Sequence, residues 1–161
     1  MRNEQSRINS LMDDTDRRIL RIAQAYPDLP IAELAEKVGL SHTPCWRRMK
    51  KLEADGVIGG RALLLDAKLL GLVVNVFANV RLRQHDEETL DALEQAVCLH
   101  PEIVESFSMS GTSDYMLRVV SKSIEDYERF LKKVLLHLPG VSSINSSFAL
   151  KTVKMTTVLP V

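Results

Sequence analysis

Gly39-Leu40-Ser41 separates two short stretches of helical apolar spacing, and no other feature restricts the fold as tightly. Upstream, Ile31, Leu34, Ala35 and Val38 recur on one helix face. Gly39 is placed to take the left-handed conformation that ends such a helix. Downstream, Ser41 reads as an N-cap and Pro44 falls in the first turn of the next helix. Cys45, Met49 and Leu52 follow at i, i+4 and i+7 as that helix's buried stripe, and Gly56 closes it. Two short helices joined so tightly must cross steeply, which predicts a helix-turn-helix. The outward face of the second then stands clear of its domain.

A third helix is predicted ahead of this pair. Asp13 can cap it, Asp16 favours its dipole at the third helical position, and Ile19, Leu20 and Ala23 make its apolar face. Pro27 and Pro30 end it. Residues 1–11 are polar and aperiodic and read as a flexible arm. The helical domain therefore spans 12–60.

After Gly59-Gly60 the texture changes. Arg61 to Asp66 is predicted as a short strand within a linker over 61–71. From residue 72 the pattern runs β-α-β-β-α-β. The strands are Val73 to Arg83, Ile103 to Met109, Tyr115 to Val120 and Val141 to Leu150. The helices are Glu87 to Leu99 and one capped by Ser123, with Asp126 in capping-box position and Tyr127, Leu131, Val134 and Leu138 on one face. Val153 to Val158 is a candidate further strand. This order predicts a ferredoxin-like domain over 72–161, an antiparallel sheet with both helices on one face. Alternation assigns Val73, Phe77, Tyr115, Leu117 and Val119 to the face turned from the helices, where a second copy of the chain would cover them. The fold class is α+β: an N-terminal winged-helix-like helix-turn-helix domain followed by a ferredoxin-like βαββαβ domain.

Charge becomes informative only locally. Lys+Arg and Asp+Glu both number 21, so the global balance says nothing about nucleic acid. Between Ser41 and Lys51, however, lie Arg47, Arg48, Lys50 and Lys51 and no acid, +4 in eleven residues. Positive charge toward phosphates and long polar side chains toward base edges are what DNA binding needs. The candidate contacts are Ser41, His42, Thr43, Trp46, Arg47, Lys50 and Lys51. His42, Thr43, Trp46 and Arg47 lie near the helix N-terminus, the part that enters a major groove, and an Arg there can bond a guanine in two places. Lys50 and Lys51 suit phosphates. Arg48 lies beside the buried stripe and suits a structural pair, with Glu53 or with an acid on another helix. A basic run by itself is more often a solvated face. The turn and the apolar helix ahead of it tip the reading toward DNA.

A second constellation is Met109-Ser110-Gly111-Thr112-Ser113-Asp114-Tyr115. Small polar residues and a glycine at a strand-to-strand turn offer backbone N–H groups to a carboxylate, and Asp114 offers itself to an ammonium. An amino acid carries both groups. On the residues alone, a plain hairpin turn is the simpler account.

Other chemistry finds little support. No apolar stretch is long enough to span a bilayer, and MRNEQSRINS has no apolar run behind its charges, so no secretory signal is read. Cys45 and Cys98 read as reduced intracellular thiols, Cys45 as a small core residue. The four histidines show no metal-ligand spacing, and there is no glycine-rich phosphate loop or nucleophile elbow. A cytoplasmic, non-enzymatic protein without cofactor or metal is expected.

These residues together resemble the leucine-responsive/asparagine-regulator (Lrp/AsnC, feast/famine) family of transcription factors, from Leu11 onward. Met12-Asp13-x-x-Asp16-x-x-Ile19-Leu20 looks like its first helix, and Glu33-Leu34-Ala35 through Gly39-Leu40-Ser41 like its second helix and turn. Thr43-Pro44-Cys45-x-Arg47-Arg48-Met49-x-x-Leu52-Glu53-x-x-Gly56-Val57-Ile58 is similar to its recognition helix. Gly111-Thr112-Ser113-Asp114-Tyr115, Leu138-Pro139-Gly140-Val141 and Ser146-Ser147-Phe148 match landmarks of its sensing domain. The resemblance implies a bacterial, sequence-specific DNA-binding regulator that responds to an amino acid or related small effector and controls amino-acid metabolism or transport. It implies effectors bound between neighbouring dimers near the loop, and dimers assembled into octamers. Met109, Gly111, Thr112 and Asp114 would then contact the effector, with Ser146 and Ser147 contributing from another subunit. The chain's ending looks closest to members controlling catabolism of cysteine, proline or branched-chain amino acids. The competing expectation is a small-molecule-binding module or enzyme on the ferredoxin-like half, without DNA binding.

Overall fold

The computed structural model describes residues 12–161, so the arm expected over 1–11 lies outside the described residues. The chain forms two compact units. One is built on residues up to Leu64 together with Met155–Val161, the other on Leu65–Lys154.

The first unit holds α1 (Asp14–Ala25), α2 (Ile31–Val38) and α3 (His42–Ala54). Asp13 caps α1 in a reciprocal box. Its carboxylate accepts the Asp16 N–H at 2.8 Å, and the Asp16 carboxylate accepts the Asp13 N–H at 3.1 Å. The first of these bonds, with Arg48 nearby, holds the Asp13 carboxyl below its ordinary range. At the end of α2, Gly39 adopts φ +77°. The Leu40 N–H then reaches back to the Ala35 carbonyl at 2.8 Å, the six-to-one bond of a Schellman ending. Ile19, Leu20, Leu34, Ala35, Val38, Cys45, Met49 and Leu52 make one core. Burial pushes the Cys45 thiol up, as befits a small core residue.

Residues 155–161, expected in the second domain, group with this first unit. The Gln24 amide accepts the Leu159 N–H at 2.7 Å and donates to the Leu159 carbonyl at 3.3 Å. Arg21 Nε donates to the Val161 main-chain oxygen at 2.5 Å. No strand forms over 153–158, nor over Arg61 to Asp66. A strand exists only through a hydrogen-bonded neighbour, and neither stretch meets one among the described residues. Leu63 is left 87% exposed.

The second unit carries β1 (Val74–Leu82), α4 (Glu87–Cys98), β2 (Ile103–Ser108), β3 (Tyr115–Ser121), α5 (Ile124–Lys133), a 3-10 turn (Leu135–His137) and β4 (Val141–Phe148). The sheet order is β2-β3-β1-β4 and its paired strands are antiparallel, the ferredoxin-like arrangement. Asp86 caps α4 by accepting the Thr89 N–H, and Ser123 caps α5 by accepting the Asp126 N–H. The second helix ends earlier than its apolar spacing predicts. It tightens at Val134 into the 3-10 turn, and that turn buries Leu135.

One face assignment is overturned. The register sets Ala78 opposite Leu117, Val76 opposite Val119 and Val80 opposite Tyr115. Directly paired residues share a sheet face. All six belong to one buried core with Leu93 and Val97 of α4 and Tyr127 of α5. Tyr115, Leu117 and Val119 therefore point toward the helices, not away. The helix-free face carries Phe77, Met116 and a bonded Arg118–Glu105 pair at 2.9 Å, with Asn79 and Arg81 toward the loop end.

Candidate nucleic-acid interface and sensing loop

The candidate DNA helix is α3. Cys45, Met49 and Leu52 point into the core, so the opposite face is left to solvent. Ser41, His42, Thr43, Trp46, Arg47, Lys50 and Lys51 are all exposed. Trp46 remains 49% accessible, so its ring lies open beside these polar side chains. The exposed Ser41 side chain makes no capping bond, so its hydroxyl is not spent on the first helical N–H groups.

The charges on α3 have different duties. Arg48 folds back, and one terminal nitrogen reaches Asp13 at 2.8 Å and Asp16 at 2.7 Å. Of the two structural partners open to it from sequence, the acid on another helix is the one used. Lys50 pairs with Glu53 at 2.7 Å and Lys51 with Asp55 at 2.9 Å. Such exposed pairs are weak and exchange readily for a phosphate. Arg47 makes no ion pair among the described residues. It lines a notch with Leu40, Pro44, Arg48 and Lys51 where the turn meets α3.

Arg48 tests whether this framework matters. Asp16 is 6% exposed, and Arg48→Met would strip its cationic partner. The expected cost is about 2 kcal/mol of stability, toward the low end for a charged bond because Arg48 is itself partly solvated. Chemical denaturation of the variant checks this. A midpoint equal to wild type would reduce the pair to a surface contact.

The second site is the loop from Met109 to Asp114. It is strapped to β1 at three points, through Val80, Arg81 and Leu82, and is further held by an internal bond and by His85. The Met109 N–H donates to the Asp114 carbonyl at 2.8 Å, and the Asp114 N–H to the Val80 carbonyl at 2.9 Å. The Asp114 carboxylate accepts the Leu82 N–H at 2.7 Å and faces His85 Nε2 at 2.8 Å. Arg81 Nε donates to the Thr112 carbonyl at 2.6 Å. Gly111 sits at the exposed tip with φ +137°, which a side chain would resist. The Tyr115 hydroxyl donates to Glu94 at 2.7 Å. Burial, then that bond, push the phenol to about 12.

Asp114 was expected to receive an ammonium. Each of its oxygens already holds one bond within the chain and keeps acceptor capacity to spare, and the Leu82 N–H, followed by His85, holds its carboxyl below the ordinary 3.8. Linkage gives the sign: the fastening is complete above the ordinary carboxylate pKa and is lost as pH falls through the lower folded value. Asp114→Ala should free the loop tip, seen as faster amide exchange at Thr112 and Ser113, and weaken ligand binding. Exchange unchanged from wild type would show that the loop holds without it.

Ser146 and Ser147 point to opposite faces of β4. Ser146 lies opposite Ala78 on the helix side, where its hydroxyl is bonded to the Tyr127 hydroxyl. Ser147 lies opposite Phe77 on the helix-free face. Within one chain the fold does not gather them at the loop. Asn79, Arg81, Ser143 and Asn145 do gather there, beside Thr112 and Ser113, and sequence reasoning missed them. They alternate along two strands far apart in sequence, so only the β1–β4 register could reveal them. Among the described residues, no set of three His, Cys, Asp or Glu could hold a metal ion, and no helix is long and apolar enough to cross a membrane.

A helix-turn-helix with an open basic recognition face, followed by a ferredoxin-like unit with a strapped loop, defines a two-domain DNA-binding regulator. Residues 12–58 match the winged helix-turn-helix DNA-binding family, and residues 75–159 match the Lrp/AsnC ligand binding domain. The chain is 36% identical to the DNA-binding transcriptional activator DecR of Escherichia coli K12, over 94% of this chain and 99% of that protein. The crystal structure of an AsnC family transcriptional regulator from Agrobacterium tumefaciens superposes with a TM-score of 0.88 at 45% identity, covering 92% of this chain and 97% of that one. A transcriptional regulator from Neisseria meningitidis, solved as an L-Met complex, gives 0.88 at 34% identity, with 92% and 96% covered. The chain belongs to the Lrp/AsnC family of DNA-binding transcriptional regulators. It is a regulator, not an enzyme.

Proposed function

We propose that this protein binds operator DNA as a dimer through α3 and adjusts that binding to an amino acid sensed at the 109–114 loop. The observation that carries the reading is the face of α3. His42, Thr43, Trp46 and Arg47 stand exposed at its N-terminal half, and Arg47 has no ionic partner among the described residues. Dimeric binding calls for a roughly palindromic site with half-sites one or more helical turns apart. In this reading Ser41 and His42 to Thr43, with Trp46 and Arg47, meet the groove, and Lys50 and Lys51 meet phosphates.

Met109, Gly111, Thr112 and Asp114 form the sensing loop, with Ser146 and Ser147 supplied by a neighbouring subunit. Dimers assemble further, to an octamer, in a bacterial cytoplasm. The amino-acid effector is supported by the L-Met complex of the Neisseria relative. Effector binding and DNA binding are then two sites coupled through assembly. The controlled genes serve amino-acid transport or breakdown.

The experiment is genomic binding-site mapping of the tagged protein in its host, with and without amino-acid supplements. Discrete promoter peaks beside such genes, shifting with one supplement, are the expected result. No reproducible peaks under any supplement would overturn the reading.

A further inference from the structure

Beside the sensing loop lies a groove of about 380 Å³, within the size range of small-molecule sites. It is lined by Asn79, Arg81, Thr112, Ser113, Ser143 and Asn145. The register explains the gathering. Asn79 pairs with Asn145 and Arg81 with Ser143, so the four side chains project side by side from the helix-free face of the β1–β4 pair. A register shift between Arg81 and Leu82 ends the regular ladder there.

The chemistry of this lining is one-sided. It holds one cation, two amides and two side-chain hydroxyls besides Thr112, and no carboxylate. Arg81 spends Nε on the Thr112 carbonyl, which orients the guanidinium at the groove. Its two terminal nitrogens have no hydrogen bond or ion pair among the described residues. The nearest acid on the loop, Asp114, has one oxygen on the Leu82 N–H and the other on His85. An ammonium entering this groove would meet the Arg81 cation and no carboxylate in the lining. A planar carboxylate would meet a fork of paired N–H donors already held in place, with amides and hydroxyls to complete its bonds.

We infer that this groove is a carboxylate-reading subsite next to the sensing loop, and that the effector is a small dicarboxylate of amino-acid size. The inference rests on the sensing role of the loop proposed above. The backbone N–H groups of the loop take one carboxylate, and Arg81 takes the second. Because Arg81 also holds Thr112, ligand at its free nitrogens bears directly on the position of the loop.

Calorimetric titration of the full-length protein tests this. The probes are L-glutamate, its neutral isostere L-glutamine, glutarate (which lacks the ammonium), and the remaining standard amino acids. L-Glutamate and glutarate are expected to bind at least about tenfold more tightly than L-glutamine. Arg81→Gln should abolish that preference, and Arg81→Lys, which keeps the charge but loses the fork, should retain only part of it. Arg81 is exposed, and a melting curve for each variant verifies that it folds. L-Glutamine binding as well as L-glutamate, or a preference that survives Arg81→Gln, would overturn the subsite. A neutral amino acid that binds best and is indifferent to Arg81→Gln would sink the subsite while leaving amino-acid sensing standing. Silence across every probe would sink both.

Discussion

Arg47→Ala is expected to weaken operator binding by about 10- to 100-fold, with the fold untouched. The range corresponds to loss of one two-point contact between a guanidinium and a guanine edge, about 1–3 kcal/mol. The side chain is exposed and makes no ion pair among the described residues, so truncation removes nothing from the core. Neighbouring cations give an internal comparison. Lys50→Ala should reduce affinity less, evenly across DNA sequences, and flatten the salt dependence, because a phosphate contact carries no sequence information. Fluorescence anisotropy on an operator fragment and on a scrambled duplex, at two salt concentrations, separates the outcomes. If Arg47→Ala left the operator-to-scrambled ratio unchanged, the base-reading role assigned to the N-terminal half of α3 would be lost.

Leu52→Ala is expected to remove about 3 kcal/mol from the helical unit and abolish operator binding, while the ligand-binding unit stays folded. Leu52 is 1% exposed, packed with Ile19, Leu20 and Val38. Its carbonyl also accepts the N–H groups of both Val57 and Ile58 as the chain turns after α3. Truncation leaves a cavity in a core that holds eight buried residues among those described, with little room to redistribute the loss. The two cores share no residue. Calorimetry should show the helical transition moved down in temperature, and the ligand-binding unit should keep its exchange-protected amides in β1 and β3. A single transition displaced as a whole would show instead that the two units unfold together.

Sequence and structure agree best where contacts are local. Asp13 and Asp16 are three residues apart, and their mutual capping follows from that spacing. The Gly39 turn and the Cys45, Met49, Leu52 stripe follow equally from i, i+4 neighbours on one helix. The βαββαβ order is legible for a related reason, since each strand and helix announces itself by its own period. Arg48 marks the limit. Its place beside the stripe indicates a structural role, but Glu53 and a distant acid fit equally until α1 is seen to lie across it.

What the sequence determined by itself is therefore the three helices of the first unit, the βαββαβ order of the second, the caps at Asp13, Asp86 and Ser123, the Gly39 turn, and the exposed basic face of α3. These depend on interactions within a turn or two of helix, or on alternation along one strand. Tertiary structure alone decided which sheet face the helices cover. Alternation divides Tyr115, Leu117 and Val119 from their neighbours but is silent on which side the helices lie, and the register with Val76, Ala78 and Val80 settles it. It also decided the partners of Asp114, with Leu82 thirty-two residues away and His85 twenty-nine. The pairing of Gln24 with Leu159 across 135 residues is another such contact. Contacts at those separations leave no periodic trace, because their energy depends on where folding brings two segments and not on the spacing within either.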